Sequence, residues 1–237
     1  MTHIDTAEMY TGAEEIIAEA IEGRRDEVYV VSKVLPQNAS RRAMIVACER
    51  SLSRLRIEKL DCYLLHWPSS HPLEETIAGF DELERQGKIS SWGVSNFDAG
   101  ELDRVVAIAG EGRLACNQVL YHLNERAIEH AVLPWCEKHD VALVGYSPFG
   151  QGEIARPHSA EARALQEIGT SHGATMRQVI LAFLTRRAPL FAIPKASRVE
   201  HVEENAGAGR LRLTADEMTR IDRAFPLGRP PRELPTA

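Results

Sequence analysis

The sequence lacks the features that mark disulfide-rich, metal-binding and exported proteins. Its 237 residues include only four cysteines, scattered without a CxxC pair, and no HExxH motif occurs. Neither a disulfide framework nor a zinc site is therefore predicted. The cysteines stand in apolar runs, which favours buried free thiols in a reducing compartment. The N-terminus also has no basic-then-apolar export pattern.

Long apolar runs and basic blocks are missing as well. No stretch reaches the roughly 20 apolar residues that a membrane-spanning helix needs. The net charge is -6, and positive charge is not concentrated anywhere in the chain. These absences predict a cytoplasmic protein that binds neither nucleic acid nor an anionic membrane.

A glycine-rich dinucleotide fingerprint is absent too. Gly150-Gln151-Gly152 and Gly207-Ala208-Gly209 do not form the G-x-G-x-x-G motif. Its absence argues against a doubly wound dinucleotide fold. The length instead suits one (β/α)-barrel domain.

Strand-like and helix-like segments alternate along the chain, which indicates a parallel sheet covered by helices. The pattern predicts strands near residues 3–5, 28–31, 60–65, 92–94, 114–116, 141–144 and 191–193. It predicts helices over 13–23, 127–138, 159–171 and 175–187, with others starting near 40, 72, 98, 197 and 214. The first helix should turn Ile16, Ile17, Ala20 and Ile21 inward. Capping boxes are expected at Asp98–Glu101, Ser197–Glu200 and Thr214–Glu217.

Polar side chains recur where the predicted strands end. They are Asp5, Lys33, His66, Ser95, Asn96, Gln118, Tyr146 and Lys195. A (β/α)8 barrel gathers its active site at the carboxyl ends of its strands. The repeated pattern at seven strand ends therefore favours a barrel with one polar rim.

Several motifs occur together and in a fixed order. Asp5-Thr6-Ala7-Glu8-Met9-Tyr10 has the form D-T-A-x-x-Y, residues 64–68 read L-L-H-W-P, and residues 193–195 read I-P-K. With the strand-end Lys33, this pattern resembles the aldo-keto reductase family from His3 to about Phe225. The likeness is greatest to the bacterial branch that includes diketogluconate and methylglyoxal reductases. It implies NAD(P)H-dependent reduction of an aldehyde or ketone.

The resemblance assigns four catalytic roles. Tyr10 would donate a proton to the carbonyl oxygen, and Lys33 would lower the pKa of the Tyr10 phenol. Asp5 would pair with Lys33. His66 would orient the carbonyl, and Trp67 would line the substrate pocket. A tyrosine with a pKa of roughly 10 is a weak acid at neutral pH, and a nearby ammonium favours the phenolate. Each residue alone is equally compatible with a structural role, as a buried ion pair beside a packed Tyr and a hydrogen-bonded His.

The resemblance also assigns a cofactor site, with NADPH as the favoured cofactor. The nicotinamide would be held by Ser95, Asn96 and Gln118, with Tyr146 of the Tyr146-Ser147-Pro148 motif stacked under its ring. Lys195 would bind the adenosine 2′-phosphate, and Glu204 and Asn205 the adenine. Two positions depart from the usual pattern: Ala196 replaces a hydroxyl residue, and His201 replaces an arginine. Lys195 keeps NADPH favoured, and use of NADH stays open.

The family places a hairpin, a strand and a helix before D-T-A. The fold predicted here is thus an α/β, TIM (β/α)8-type barrel lacking the first strand-helix unit, with seven strands. Residues 1–225 are expected to form the barrel domain and 226–237 an irregular tail. The family expectation is a monomer, although the open barrel edge invites self-association. The alternative to an enzyme is a nicotinamide-binding regulatory module or an inactive remnant.

Overall fold

The computed structural model describes residues 2–152 and 155–236. The chain divides into two compact units, Met1–Asn117 and Gln118–Ala237. The first contains β1 (His3–Asp5), α1 (Ala13–Ala20), β2 (Tyr29–Val34), α2 (Arg41–Leu55), β3 (Cys62–Leu65), α3 (Leu73–Arg85), β4 (Trp92–Ser95), α4 (Ala99–Ala109) and the start of β5 (Leu114–Leu120). The second contains the end of β5, then α5 (Val132–His139), β6 (Ala142–Tyr146), α6 (Ala160–Ser171), α7 (Met176–Leu184), β7 (Leu190–Ala192), α8 (Val199–Gly207) and α9 (Ala215–Ala224).

The strands pair in the order in which they occur in the chain. The order is β1-β2-β3-β4-β5 in the first unit and β5-β6-β7 in the second. The pairs β1–β2, β2–β3, β3–β4 and β6–β7 are parallel. Seven described strands with helices between them match a (β/α)8-type barrel that lacks one strand-helix unit, which confirms the predicted fold class.

The core of the first unit consists of strands buried on both faces and the helices packed on them. All four residues of β3 are buried, as expected for a parallel strand covered on both sides. The ring of Trp92 on β4 stacks on Phe80 of α3 with 5.0 Å between centroids. Met44, Cys48, Leu52 and Leu55 form an apolar stripe on α2 that is buried against the sheet and neighbouring helices.

Helix α1 departs from its predicted inward face. Ile16 is 67% exposed, whereas Glu14 is buried. The carboxylate of Glu14 accepts a hydrogen bond of 2.7 Å from the buried hydroxyl of Ser32. This hydrogen bond between helix and strand turns Glu14 toward the sheet. Ile21 is buried as predicted, but Ile16 and Ala20 are exposed, so the prediction that these two residues point inward is wrong.

Two of the three predicted capping boxes are confirmed. Asp98–Glu101 opens α4 and Thr214–Glu217 opens α9. The box predicted at Ser197–Glu200 is wrong, because α8 begins after Arg198 without a side-chain cap. The Glu200 carboxylate instead binds the Arg198 guanidinium at 3.2 Å.

Other expectations concern thiols, membranes and loops. All four cysteines are free and buried, which confirms the prediction of free thiols. None of the helices described is long and apolar enough to span a bilayer. Residues 226–236 contain no helix or strand. Residues 147–157 are rich in Gly and Pro and connect β6 to α6, and Glu153 and Ile154 of this segment lie outside the described residues.

Candidate active site

The loop that follows β1 brings Tyr10 over the end of β2. The amide of Thr6 donates to the Val31 carbonyl at 2.9 Å, and the amide of Glu8 donates to the Lys33 carbonyl at 3.2 Å. The chain then turns, with the Tyr10 amide donating to the Ala7 carbonyl at 3.0 Å. The D-T-A-x-x-Y segment is thus a continuation of the strand pairing that ends in a tight turn.

Lys33 lies beneath that turn and is completely buried. Its ammonium forms an ion pair with the Asp5 carboxylate and donates to the Thr6 carbonyl at 2.8 Å. A buried ammonium is costly unless charged and polar partners compensate it. Asp5 and Thr6 supply that compensation, so the cation is held in one place.

Tyr10 lies close to this cation. The Lys33 ammonium is 5.5 Å from the centroid of the Tyr10 ring. The Tyr10 side chain is 43% exposed, so an external molecule can reach it. An accessible phenol beside a buried, fixed cation suits proton transfer to a ligand.

His66 completes the group of predicted catalytic residues. It directly follows β3 and is 5% exposed. Its ring contacts Tyr10 edge-on at 5.8 Å between centroids and stacks on Trp67 at 3.9 Å. Burial and the neighbouring charge of Lys33 lower the pKa of His66 to about 3. The imidazole is therefore neutral at physiological pH, when it carries one N–H donor and one acceptor.

The end of β4 is bonded to the same region. Asn96 has a left-handed backbone with φ of 63°, and its side-chain amide donates to the His66 carbonyl at 3.3 Å and to the Ser95 hydroxyl at 3.2 Å. Ser95 and Asn96 are both buried. The first unit therefore brings together six of the predicted catalytic and cofactor residues with the predicted pocket residue Trp67.

The second unit carries the remaining predicted cofactor residues. Gln118 is buried on β5, while Tyr146 at the end of β6 and Ser147 after it are half-buried. Ser147 has a left-handed φ of 51°, so the chain turns sharply after Tyr146. Lys195 follows β7 and is exposed.

Helix α8 carries the other three. His201 is half-buried, and the Glu204 carboxylate accepts a hydrogen bond of 2.5 Å from the Thr175 hydroxyl. Asn205 is 5% exposed, yet neither its Oδ1 nor its Nδ2 has a hydrogen-bond partner among the described residues. Buried amides are normally paired, so Asn205 has unused capacity for a ligand.

Sequence reasoning missed Glu8, which lies in the same loop as Tyr10. Its side chain is 5% exposed and forms an ion pair of 3.0 Å with Arg50 of α2. The available signal was a carboxylate between two predicted catalytic residues. Its partners are distant in sequence, so the sequence alone did not reveal its contacts.

Known proteins resemble this chain over nearly its whole length. A model of the Aldo/keto reductase family matches residues 1–225. Methylglyoxal reductase YeaE of Escherichia coli is 42% identical over 228 residues, covering 95% of this chain and 80% of that protein. An aldo-keto reductase from Klebsiella pneumoniae, solved in complex with NADPH, has a TM-score of 0.94 and 42% identity over 100% of this chain and 84% of that one. A putative 2,5-diketo-D-gluconic acid reductase B has a TM-score of 0.87 and 30% identity over 99% of this chain and 83% of that one.

Proposed function

This chain belongs to the aldo/keto reductase family, and we propose that it reduces the carbonyl group of a small aldehyde or ketone with NADPH. One observation carries the proposal: the accessible phenol of Tyr10 lies beside both the buried cation of Lys33 and the neutral ring of His66. The relative named methylglyoxal reductase suggests a 2-oxoaldehyde as the first substrate to test.

In this proposal Tyr10 donates the proton that the carbonyl oxygen gains. Negative charge grows on that oxygen during reduction and passes to the phenol when the proton moves. The Lys33 ammonium, 5.5 Å from the ring centroid, stabilises that charge. Asp5 keeps Lys33 in place through their ion pair.

His66 orients the substrate as a neutral hydrogen-bonding group. Since its pKa is lowered to about 3, its donor capacity does not change with pH between about 5 and 8. Trp67 stacks on His66 at 3.9 Å, so it fixes the imidazole plane and presents an apolar wall. A small, flat carbonyl compound suits this arrangement.

A nicotinamide cofactor fits the chain's own polar groups. NADPH, when bound, supplies the hydride for the carbonyl carbon. The two unpaired polar atoms of Asn205 are buried and match an adenine edge, which offers both donors and acceptors. The exposed ammonium of Lys195 suits a phosphate. The Glu204 carboxylate already accepts a hydrogen bond from the Thr175 hydroxyl, so it would contact the adenine while keeping that bond.

Other residues keep the cofactor roles that the family resemblance gives them, each within its own unit. In the first unit, Ser95 and Asn96 would bind the carboxamide. In the second unit, Gln118 would offer a carboxamide partner, and Tyr146 with Ser147 a stacking surface. Ala196 and His201 leave the phosphate end with fewer hydroxyl and cationic groups than the family pattern. A modest preference for NADPH over NADH is therefore proposed.

The test is NADPH consumption by the purified chain with methylglyoxal, comparing Tyr10→Phe with Tyr29→Phe. Tyr29 is a matched control because it is 42% exposed, close to the 43% of Tyr10, and lies at the opposite end of β2. We expect Tyr10→Phe to lower kcat by roughly 10²- to 10⁴-fold and Tyr29→Phe to leave it unchanged. Cofactor binding without turnover by the unmodified chain would favour a binding module and contradict the reductase proposal.

A further inference from the structure

Glu8 is a buried carboxylate in the loop between Asp5 and Tyr10, and both of its oxygens are hydrogen-bonded. Oε1 accepts from the Leu35 amide at 2.7 Å and from the Asn38 side-chain amide at 3.0 Å. Oε2 accepts from the Arg50 guanidinium at 3.0 Å. Hydrogen bonds to an ionised carboxylate are stronger than those between neutral groups. The Glu8 side chain therefore attaches the loop firmly to the segment after β2 and to α2.

The main chain of Glu8 is attached as well. Its amide donates to the Lys33 carbonyl at 3.2 Å, and its carbonyl accepts from the Arg54 guanidinium at 3.3 Å. Arg54 also contacts the buried carboxylate of Glu14 at 3.3 Å. One residue thus connects the loop to the strand that carries Lys33 and, through two arginines, to α2.

These bonds matter because of where Tyr10 lies. Tyr10 is two residues after Glu8 and is 43% exposed, so packing around its ring restricts it less than it would restrict a core tyrosine. The distance from its ring to Lys33 therefore depends on the path of the loop. Catalysis is sensitive to such positions, since a displacement of about 1 Å can cost roughly 10²-fold in rate.

We propose that Glu8 is a positioning residue for Tyr10, which holds the loop so that the phenol stays beside Lys33 and His66. The inference rests on the proposed function, because it gives Tyr10 the role of proton donor. It goes further by assigning a role to a residue outside the reacting groups. Glu8 acts through the loop and does not itself touch the substrate.

The test compares Glu8→Ala and Glu8→Gln, each alone and combined with Tyr10→Phe. We expect Glu8→Ala to lower kcat by about 10- to 100-fold, with the NADPH dissociation constant changed less than twofold. Glu8→Gln keeps Oε1 as an acceptor for Leu35 and Asn38, and should recover most of the turnover. In the Tyr10→Phe background, Glu8→Ala should lower kcat little further, because the effects of substitutions at residues that act as one unit are not additive.

Glu15→Gln is the matched control. Glu15 contacts the same Arg54 at 3.9 Å but is half exposed, and its replacement should leave kcat unchanged. If Glu8→Ala does not fold, Asn38→Ala and Arg50→Gln each remove one bond to Glu8 and allow the same comparison.

If Glu8→Ala lowers kcat by the same factor in the unmodified chain and in the Tyr10→Phe background, the positioning role is overturned. The reductase proposal would remain intact. Turnover that is independent of Tyr10 would overturn both proposals.

Discussion

The ammonium of Lys33 and the ring of Tyr10 lie 5.5 Å apart, although one side chain is completely buried and the other is 43% exposed. The phenol can thus meet a ligand while the cation stays out of water. Because little solvent surrounds the ammonium, its field at the phenol is weakly screened. In the proposed mechanism, this pair would combine access for the substrate with electrostatic stabilisation of the phenolate.

The first prediction concerns the charge of Lys33. We expect Lys33→Met to lower kcat at least 100-fold, because the phenolate loses its stabilising cation. It should also lower the free energy of unfolding by about 3–5 kcal/mol, since the Asp5 carboxylate loses its buried partner. Steady-state kinetics and urea denaturation measure the two effects.

The double variant Asp5→Asn/Lys33→Met is the control for that stability loss. It removes both charges, so it should regain much of the stability but none of the turnover. A double variant that regains turnover would contradict the role given to Lys33.

The second prediction concerns the pH dependence of stability. The folded-state pKa of His66 is about 3, below the value near 6.5 expected in the unfolded chain. Between these values the unfolded state binds more protons, so stability falls as pH falls. As the pH falls through this range, His66 alone should lower the free energy of unfolding by up to about 1.4 kcal/mol per pH unit. Above pH 6.5 the imidazole is neutral in both states, so none of this stability is lost there.

Urea denaturation of the unmodified chain and of His66→Gln at pH 8, 6 and 5 isolates this contribution. Other titrating groups are common to both proteins and cancel in the difference. The unmodified chain should lose stability more steeply on acidification than His66→Gln. Parallel curves would mean that His66 titrates normally in the folded protein.

The third prediction concerns the close packing of β4. A Cβ atom added at Gly93 would lie 2.6 Å from the Cys116 carbonyl oxygen and 2.8 Å from Leu64 Cδ2. Because the backbone oxygen cannot move aside cheaply, Gly93→Ala should lower the free energy of unfolding by at least about 1–3 kcal/mol. Gly209→Ala is the control, since a Cβ there meets nothing within 4 Å. Equal melting temperatures for the two variants would rule out a tight contact at Gly93.

The sequence predicted the fold and the residues that cluster in the first unit because both depend on local patterns. Strand runs end on polar residues, and parallel strands bring those ends to one edge of a sheet. Asp5, Lys33 and His66 could be located in this way. The roles of these residues stay predictions until they are tested by substitution.

The features that the sequence did not predict depend on contacts between distant segments. The environment of Glu8 requires Asn38 and Arg50, which are 30 and 42 residues away. The outward turn of Ile16 follows from the bond between Glu14 and Ser32. Local periodicity contains no information about these partners, so it placed Ile16 wrongly and gave Glu8 no role.

The last prediction uses Asn205 to separate binding from stability. Its two side-chain polar atoms are buried and have no partner in the described part of the chain, and each such atom costs roughly 1–3 kcal/mol. Asn205→Leu replaces them with apolar atoms of similar volume. The melting temperature of the cofactor-free protein should therefore stay the same or rise.

The same change should weaken NADPH binding at least tenfold, because a site built to hydrogen-bond a ligand loses those bonds. Fluorescence titration with NADPH measures this loss of affinity. Asn38→Leu is the control for stability: it removes a side-chain amide that is hydrogen-bonded to Glu8, so it should lower the melting temperature. A destabilised Asn205→Leu with unchanged cofactor affinity would mean that Asn205 serves the fold. The opposite result would assign the bonding capacity of Asn205 to the cofactor, because a ligand that binds only the folded chain offsets the cost of the buried amide.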